Sequence, residues 1–395
     1  MSQTVTKKKH ILHFPKWYPH PADIQNGVFI KKHIGVTAEK FNSSVVFATS
    51  AKQNNKFEVQ SSFAERVFTV EVFFREYKSK SGLKPAVHAF RYLKAMCKGI
   101  KLAKLQFGKP AIVHAHVVLR AALLAWILAF YHHIPFIITE HWSGFMNGDF
   151  QRKNLIYRKL VIFLMRRAAK IVVVSKSLKE SLVRIGIEDS KISIIPNIVD
   201  ALPQAENRRF TSFPCRIIFL SVADLVDRIK NISDIIKTVA ELPEKTDFEY
   251  WIVGDGEDKE KLVLLAESLG LLNKKVFFMG RKNNDEVLKI INEVDFLVLN
   301  SFTETFSVVT AEALLAGKPV ISTRCGGPEF FINETNGILI EPGNREVLSA
   351  AIISMMSNYK SYNPEILKNP IREKFGREAV GKEILAMYDE VFNRK

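Results

Sequence analysis

The stretch "ETFSVVTAE" sets two carboxylates, Glu304 and Glu312, eight residues apart with only uncharged residues between them. Such a pair can accept hydrogen bonds from hydroxyl groups at two separated points. Were the whole interval helical, the acids would stand about 12 Å apart at 1.5 Å per residue. That is close to the reach from the sugar to the ribose of a sugar nucleotide. Between them, the amides of Phe306, Ser307 and Val308 would open a helix and face an anion, a natural seat for a diphosphate. On spacing alone the commoner assignment is plainer, with Glu304 in a loop or cap and Glu312 on a solvated helix face.

The elements that must position these residues are legible as apolar runs. "HILHF", "SSVVFAT", "AIVHAH", "PFIIT", "KIVVVS" and "ISIIP" precede "RIIFLSVA", "FEYWIVGD", "KVFFMG", "DFLVLN", "PVIST" and "GILIEP", with helical stretches between them. Continuous apolar strands alternating with helices predict parallel sheets covered on both faces. A chain of 395 residues is too long for one ordinary core. The expectation is α/β: two doubly wound domains, 1–200 and 201–375, divided at the polar stretch from Asn197 to Cys215. In such sheets ligands bind beyond the carboxyl ends of the strands. The loops there read "FPKWYPHPADIQNG", "EHWSGFMNG", "DLVDRIKN", "GDGEDKE", "GRKNNDE" and "SFTETFS".

Hydrophobic content of 47% with 25% charge describes a folded chain. Cys97, Cys215 and Cys325 are scattered and odd in number, which excludes a disulfide framework or zinc site and fits a reducing, cytoplasmic compartment. The longest apolar run, "AALLAWILAFY", is about half of the ~20 residues a spanning helix needs. The net charge of +16 is uneven: residues 1–200 carry 32 Lys and Arg against 12 Asp and Glu, and the remainder 25 against 29. A basic first half attracts a polyanion such as an anionic lipid surface or a phosphorylated substrate. Nucleic acid is not favoured, because no recognition helix or aromatic RNA motif is present. Val87, Phe90, Leu93, Cys97 and Ile100 form an apolar helical stripe expected to pack on the first sheet, leaving lysines for a bilayer. Phe73 and Phe74 beside "REYKSKSG" offer an interfacial anchor. His114 and His116 are expected to place at most one ring in the cleft.

"SFTETFSVVTAEALLAGKPVISTRCGGPEFF" followed by "NGILIEPGN", together with "WIVGDGEDKEKL", "SIIPNIVD", "AIVHAH" and "ITEHWSG", closely resembles the family 4 retaining glycosyltransferases over nearly the whole chain. The resemblance implies the GT-B fold, two Rossmann-like domains facing a central cleft, with the final helix (376–395) crossing back to the first domain. It implies a nucleotide-sugar donor held by the second domain and a saccharide or lipid-linked acceptor held by the first. Residue by residue, Glu304 matches the acid on the donor-sugar hydroxyls and Glu312 the acid on the ribose. Lys230 resembles the cation on the diphosphate, and His141 matches the histidine beside the reacting sugar. Gly27 looks like the glycine that lets backbone approach the phosphates, and Arg281 stands where the family's loop meets the nucleobase. Asp224 replaces the family's usual arginine, with Arg228 the expected substitute, and Ser307 replaces a usual glycine.

The implied reaction is hexosyl transfer with retention of configuration. Negative charge grows on the leaving diphosphate, and Lys230, Arg228 and the helix opened by Phe306 supply fixed positive charge to it. Metal independence and the absence of a cofactor are expected, the nucleotide sugar being a co-substrate. The charge asymmetry adds peripheral docking on the inner face of the cell membrane. A sugar-nucleotide epimerase of the same fold is the competing enzyme reading.

Overall fold

The structure is a computed structural model that describes residues 8–21, 23–51, 56–76, 84–200, 216–243 and 246–393. Cys215 and most of the "REYKSKSG" run and interdomain stretch lie outside these residues. The first sheet holds β1 (His10–Pro15), β2 (Asn42–Ala51), β3 (Phe57–Ala64), β4 (Val67–Arg75), β5 (Ile112–His116), β6 (Phe136–Glu140), β7 (Lys170–Val173) and β8 (Ile192–Ile194), in the order β3-β4-β2-β1-β5-β6-β7-β8. The second holds β9 (Ile217–Val222), β10 (Phe248–Val253), β11 (Val276–Gly280), β12 (Phe296–Leu299), β13 (Val320–Thr323) and β14 (Gly337–Ile340), in the order β11-β10-β9-β12-β13-β14. All neighbours are parallel except β3, a largely exposed edge strand antiparallel to β4.

Burial explains the run-on apolar sequences. Every residue of β1, β5, β6 and β7 is buried, as expected of central strands covered on both faces. In the second sheet Phe219 stacks on Phe296 at 5.1 Å and on Tyr250 at 4.9 Å, and the Tyr250 hydroxyl donates to Ser221 Oγ. Strand order reverses at β1 in the first sheet and at β9 in the second. Those reversals splay successive loops apart and open a crevice at the strand ends. The loops after β1, β9 and β12 carry the candidate site.

The chain returns to the first domain at its end. The helix Arg377–Asn393 buries Val380, Ile384, Met387, Tyr388 and Val391 against Ile11, Val36, Ile112, Ile137 and Val172. Lys40 pairs with Asp389 at 2.6 Å, and Lys170 with Glu390 at 3.0 Å.

Two surface expectations are corrected. The helix Lys84–Phe107 packs through Ala95, Met96, Gly99 and Ala103, leaving Phe90 57% and Leu93 44% exposed and Cys97 at the surface. A Cβ at Gly99 would fall 2.4 Å from Val46 Cγ1, so small residues let this helix lie close to the sheet and turn the larger ones outward. Phe73 and Phe74 are buried in β4 and anchor nothing at the surface.

Candidate active site

The carboxylate pair is divided between a loop and a helix. Glu304 lies in the turn after β12, and the helix runs only from Val308 to Leu315, with Glu312 in its second turn. The turn is held from beneath: Glu304 N donates to Cys325 O at 2.9 Å, and Gly327 N donates to Glu304 O at 2.8 Å. Gly327 has no room for a side chain, since a Cβ would stand 2.4 Å from Phe306 N. Phe306 is itself buried against Phe331 and Phe375. Ser307 takes the left-handed conformation (φ 66°, ψ 79°) as the helix begins, which gives a physical reason for a glycine preference there. Its Oγ lies 2.6 Å from Thr310 Oγ1.

Lys230 closes the short helix Asp227–Lys230 after β9 and reaches Glu304 Oε1 at 2.6 Å. Ser301 Oγ donates to the same oxygen at 2.8 Å. Burial disfavours the Lys230 ammonium, but attraction to Glu304 and the hydrogen bond it donates to that carboxylate outweigh it and hold its pKa above the usual lysine value. Lys230 therefore stays charged, and Glu304 keeps Oε2 clear of both partners.

Arg228 is not brought to this cluster. Its side chain is 65% exposed, with Glu257 4.0 Å away, in a groove lined by Asp258, Lys237 and Lys261. Residues two apart on a helix diverge by about 200°. When Lys230 turns inward, Arg228 turns out.

Glu312 is buried, and its Oε1 has no hydrogen-bond partner among the described residues. Burial pushes its carboxyl up to about 7, against the pull of Lys32 and with a push from Asp200. Lys32 comes from the first-domain helix Val28–Lys40 and lies 3.9 Å from Glu312 Oε1 and 3.3 Å from Asp200 Oδ2. Sequence reasoning missed Lys32. Its signal was its place one turn beyond Val28, on the helix face that follows the Gly27 turn. Val28, Phe29 and Lys32 line a cavity of about 240 Å³ with Val308, Val309, Glu312 and Arg281 from the other domain. Arg281 spans this cavity's mouth, donating to Asp23 at 3.1 Å and Asp224 at 3.3 Å.

Gly27 has φ +70°, and a Cβ there would stand 2.4 Å from Trp17 O. The close approach that requires glycine is thus to the chain's own Trp17 carbonyl. His141 follows β6, is buried, and has neither ring nitrogen hydrogen bonded among the described residues. Burial, with His33 nearby, holds it well below the usual histidine value, so the ring is neutral. Its backbone is fixed by the buried Glu140, whose carboxylate accepts from His141 N and Trp142 N through Oε1 and from Val118 N through Oε2. Sequence reasoning gave Glu140 no role, although an acid ending the apolar run "FIIT" was its signal.

His114 and His116, two apart on β5, share a face, and neither lines the cavity beside Glu312. Both are buried, stacked at 4.2 Å, and His13 Nδ1 lies 3.2 Å from His116 Nε2. Among the described residues these three form the one group of ligand-type side chains close enough for a metal ion. Their hydrogen bonds to Thr37, Thr139 and the Tyr388 hydroxyl instead join the first sheet to the last helix.

The sequence model "Glycosyltransferase Family 4" matches residues 45–201, and "Glycosyl transferases group 1" matches residues 204–373. The chain belongs to the family 4 glycosyltransferases. An uncharacterized glycosyltransferase of Methanocaldococcus jannaschii is 28% identical over 309 residues, 73% of this chain and 77% of its own. Sucrose-phosphate synthase from Thermosynechococcus elongatus superposes with a TM-score of 0.78 over 98% of this glycosyltransferase and 100% of its own chain, at 18% identity. Anabaena HepE, solved with UDP-glucose, superposes with a TM-score of 0.71 over 96% of this chain and 99% of its own, at 15% identity. At those identities the likeness establishes the fold alone, which is GT-B.

Proposed function

We propose that this glycosyltransferase is a retaining, metal-independent hexosyltransferase moving a sugar from a nucleotide-sugar donor to a saccharide or lipid-linked acceptor at the cytoplasmic membrane face. The observation that carries the reading is the charged Lys230–Glu304 pair, with Glu312 Oε1, which has no hydrogen-bond partner among the described residues, beyond the intervening helix start. In this reading the ribose hydroxyls donate to Glu312 and the donor-sugar hydroxyls to Glu304. The diphosphate lies by Lys230 and the amide of Val308. As the bond from the anomeric carbon to the diphosphate breaks, the acceptor oxygen bonds that carbon from the same face. The acceptor proton passes to the departing phosphate oxygen. Lys230 meets charge that grows in the transition state, the interaction that lowers a barrier rather than merely tightening binding. His141, neutral and with neither ring nitrogen hydrogen bonded among the described residues, can donate to one donor hydroxyl and accept from another.

A membrane role is supported by the turn entering the helix Leu155–Arg167. Leu155 is 66% and Ile156 81% exposed, beside the exposed Arg152, Lys153 and Lys159. Apolar side chains ringed by cations suit an anionic interface. Among the described residues no helix is long and apolar enough to cross a membrane.

The test is nucleoside diphosphate release across a panel of UDP, GDP and ADP sugars, with and without acceptor glycans, in EDTA, followed by NMR of the product anomer. Retained configuration in EDTA is expected, with loss on Glu304→Gln. An inverted anomer, or activity restored only by magnesium, defeats the mechanism. Donor epimerised without acceptor would point to the epimerase instead. Sedimentation with anionic but not neutral vesicles, lost in Leu155→Ser/Ile156→Ser, tests the docking.

A further inference from the structure

A second cavity, of about 460 Å³, opens in the first domain beside the Gly27 turn. Asn26 lines this cavity, while Val28 and Phe29 line the other. Trp142, next to His141, forms part of its wall. Gln25 also lines the donor-side cavity, so the segment 25–29 borders both spaces.

The lining has a distinct chemistry. Trp17, Tyr92, Trp142 and Tyr157 contribute aromatic faces, and Lys16 and Arg120 contribute charge. Among the described residues no carboxylate lines it. Glu140, the acid beneath this wall, commits its oxygens to the amides of Val118, His141 and Trp142. Lys16 Nζ lies 4.8 Å from the Trp17 ring centroid, and the Arg120 guanidinium 5.8 Å from that of Tyr92. Partial desolvation and repulsion from Arg120 and Lys153 pull the Lys16 ammonium below its usual range, against attraction from Glu140. Cations gathered under mutual repulsion favour an anionic occupant.

The wall is also strained. Val117 (φ 68°) and Leu119 (φ 94°) both hold positive φ, Val117 being β-branched, and Glu140 pins Val118 between them. Strain that the surroundings enforce is commonly found at ligand clamps. Aromatic faces suit the apolar face of a pyranose ring, and fixed cations suit a phosphate.

Resting on the glycosyltransferase reading above, we propose that this cavity binds the acceptor and that the acceptor is a saccharide bearing a phosphate group. Its ring lies among Trp17, Tyr92 and Trp142, and its phosphate is held by Lys16 and Arg120. A soluble sugar phosphate and a phosphate-linked polyprenyl saccharide share this chemistry. Tyr157 belongs to the same first helical turn as the exposed Leu155 and Ile156, so a lipid chain could leave toward that surface.

The full-length protein is titrated with glucose 1-phosphate and with glucose, following the emission of Trp17 and Trp142, and in parallel with neutral phosphatidylcholine vesicles with and without undecaprenyl phosphate. Saturable binding of glucose 1-phosphate but not glucose supports a soluble acceptor. Binding only to the undecaprenyl phosphate vesicles supports the lipid-linked source. In either case Lys16→Gln/Arg120→Gln is expected to weaken binding at least about tenfold, since loss of a charge-assisted contact amounts to a factor of that order. Stabilisation by whichever of UDP, GDP and ADP shifts the wild-type protein, measured by thermal shift on the same samples, should persist in that variant and reports its folding. If neither phosphate ligand binds, if glucose binds equally well, or if the double variant binds unchanged, the proposal falls. With that nucleotide stabilisation intact, the failure leaves the donor reading standing. Absence of stabilisation by UDP, GDP and ADP alike in the wild-type protein would overturn the donor reading itself.

Discussion

Replacing Glu312 by glutamine separates stability from function in opposite directions. The carboxyl titrates near 7 rather than 4.5 because its charged form is desolvated. Below its unfolded pKa it is protonated in both states and contributes no difference. As pH rises from about 4.5 to about 7 the unfolded chain loses this proton first, so the folded state loses stability. Above about 7 the penalty is fully present, at about 3 kcal/mol, because each tenfold change in an acid dissociation constant is worth ~1.4 kcal/mol. Between about pH 5 and about pH 8.5 this group alone should lower wild-type stability by about 2.5 kcal/mol.

Glutamine cannot ionise and keeps nearly the same shape, and Lys32 retains Asp200 at 3.3 Å. At about pH 8.5 the Glu312→Gln variant should therefore be the more stable protein, its melting point higher by about 6–12 °C. Near pH 5 the difference should shrink to about 1 kcal/mol or less. The same variant should bind a nucleotide sugar about 10- to 100-fold more weakly, having exchanged a charge-assisted acceptor for a neutral one. Urea unfolding at the two pH values, paired with titration of the donor found in the panel, reads both effects. A variant less stable than wild type at alkaline pH, or one with the same pH slope, would falsify the idea that this carboxylate is held unsatisfied for a ligand.

Lys230→Met should lower kcat about 10²- to 10³-fold with a smaller change in donor KM, because the cation acts on charge that develops in the transition state. Arg228→Ala, its side chain turned away toward Glu257, should leave steady-state rates within about twofold of wild type. Gly27→Ala places a Cβ 2.4 Å from Trp17 O at φ +70°; thermal melts should show a loss of about 2 kcal/mol or more, with donor binding weakened in parallel. Ser307→Gly relieves a left-handed backbone at the loss of the Thr310 contact, so its melting point should match or exceed wild type, by at most about 1 kcal/mol in stability.

The parts legible in the sequence were those whose physics is local or whose pattern spans a whole element. Buried parallel strands declare themselves as unbroken apolar runs, so both sheets could be read from "KIVVVS" or "DFLVLN" without contacts. Glu304, Lys230 and His141 could be named from the sequence because each follows a strand within a longer recognisable stretch, and Glu312 because it lies in the helix that continues one of them. What failed needed three-dimensional direction. The helix Lys84–Phe107 offers two plausible stripes, and only the sheet it meets selects the one with Gly99 and Ala95. Arg228 and Lys230 are equally basic in the sequence, yet two positions on one helical turn cannot face the same phosphate. Lys32 was invisible because its partners, Asp200 and Glu312, lie 168 and 280 positions away in the chain.

The aspartate at 224 matters less for charge than its identity suggests. It meets Arg281, which also holds Asp23 of the opposite domain, and these groups are substantially exposed. Ion pairs of that kind contribute about 0–1 kcal/mol each, so Arg281 can turn from them to a donor at little loss. Lys230 differs: its pair with Glu304 is shielded, short and reinforced by Ser301 Oγ on the same oxygen. One cation is therefore fixed before any ligand arrives, and the other is held by contacts weak enough to exchange. A donor whose diphosphate meets Lys230 would do so without reorganisation, while a nucleobase reaching the Arg281 loop would draw that side chain off its contact with Asp23. The contact that Arg281 would give up across the domains is the one to Asp23, whereas Asp224 holds the guanidinium from within its own domain.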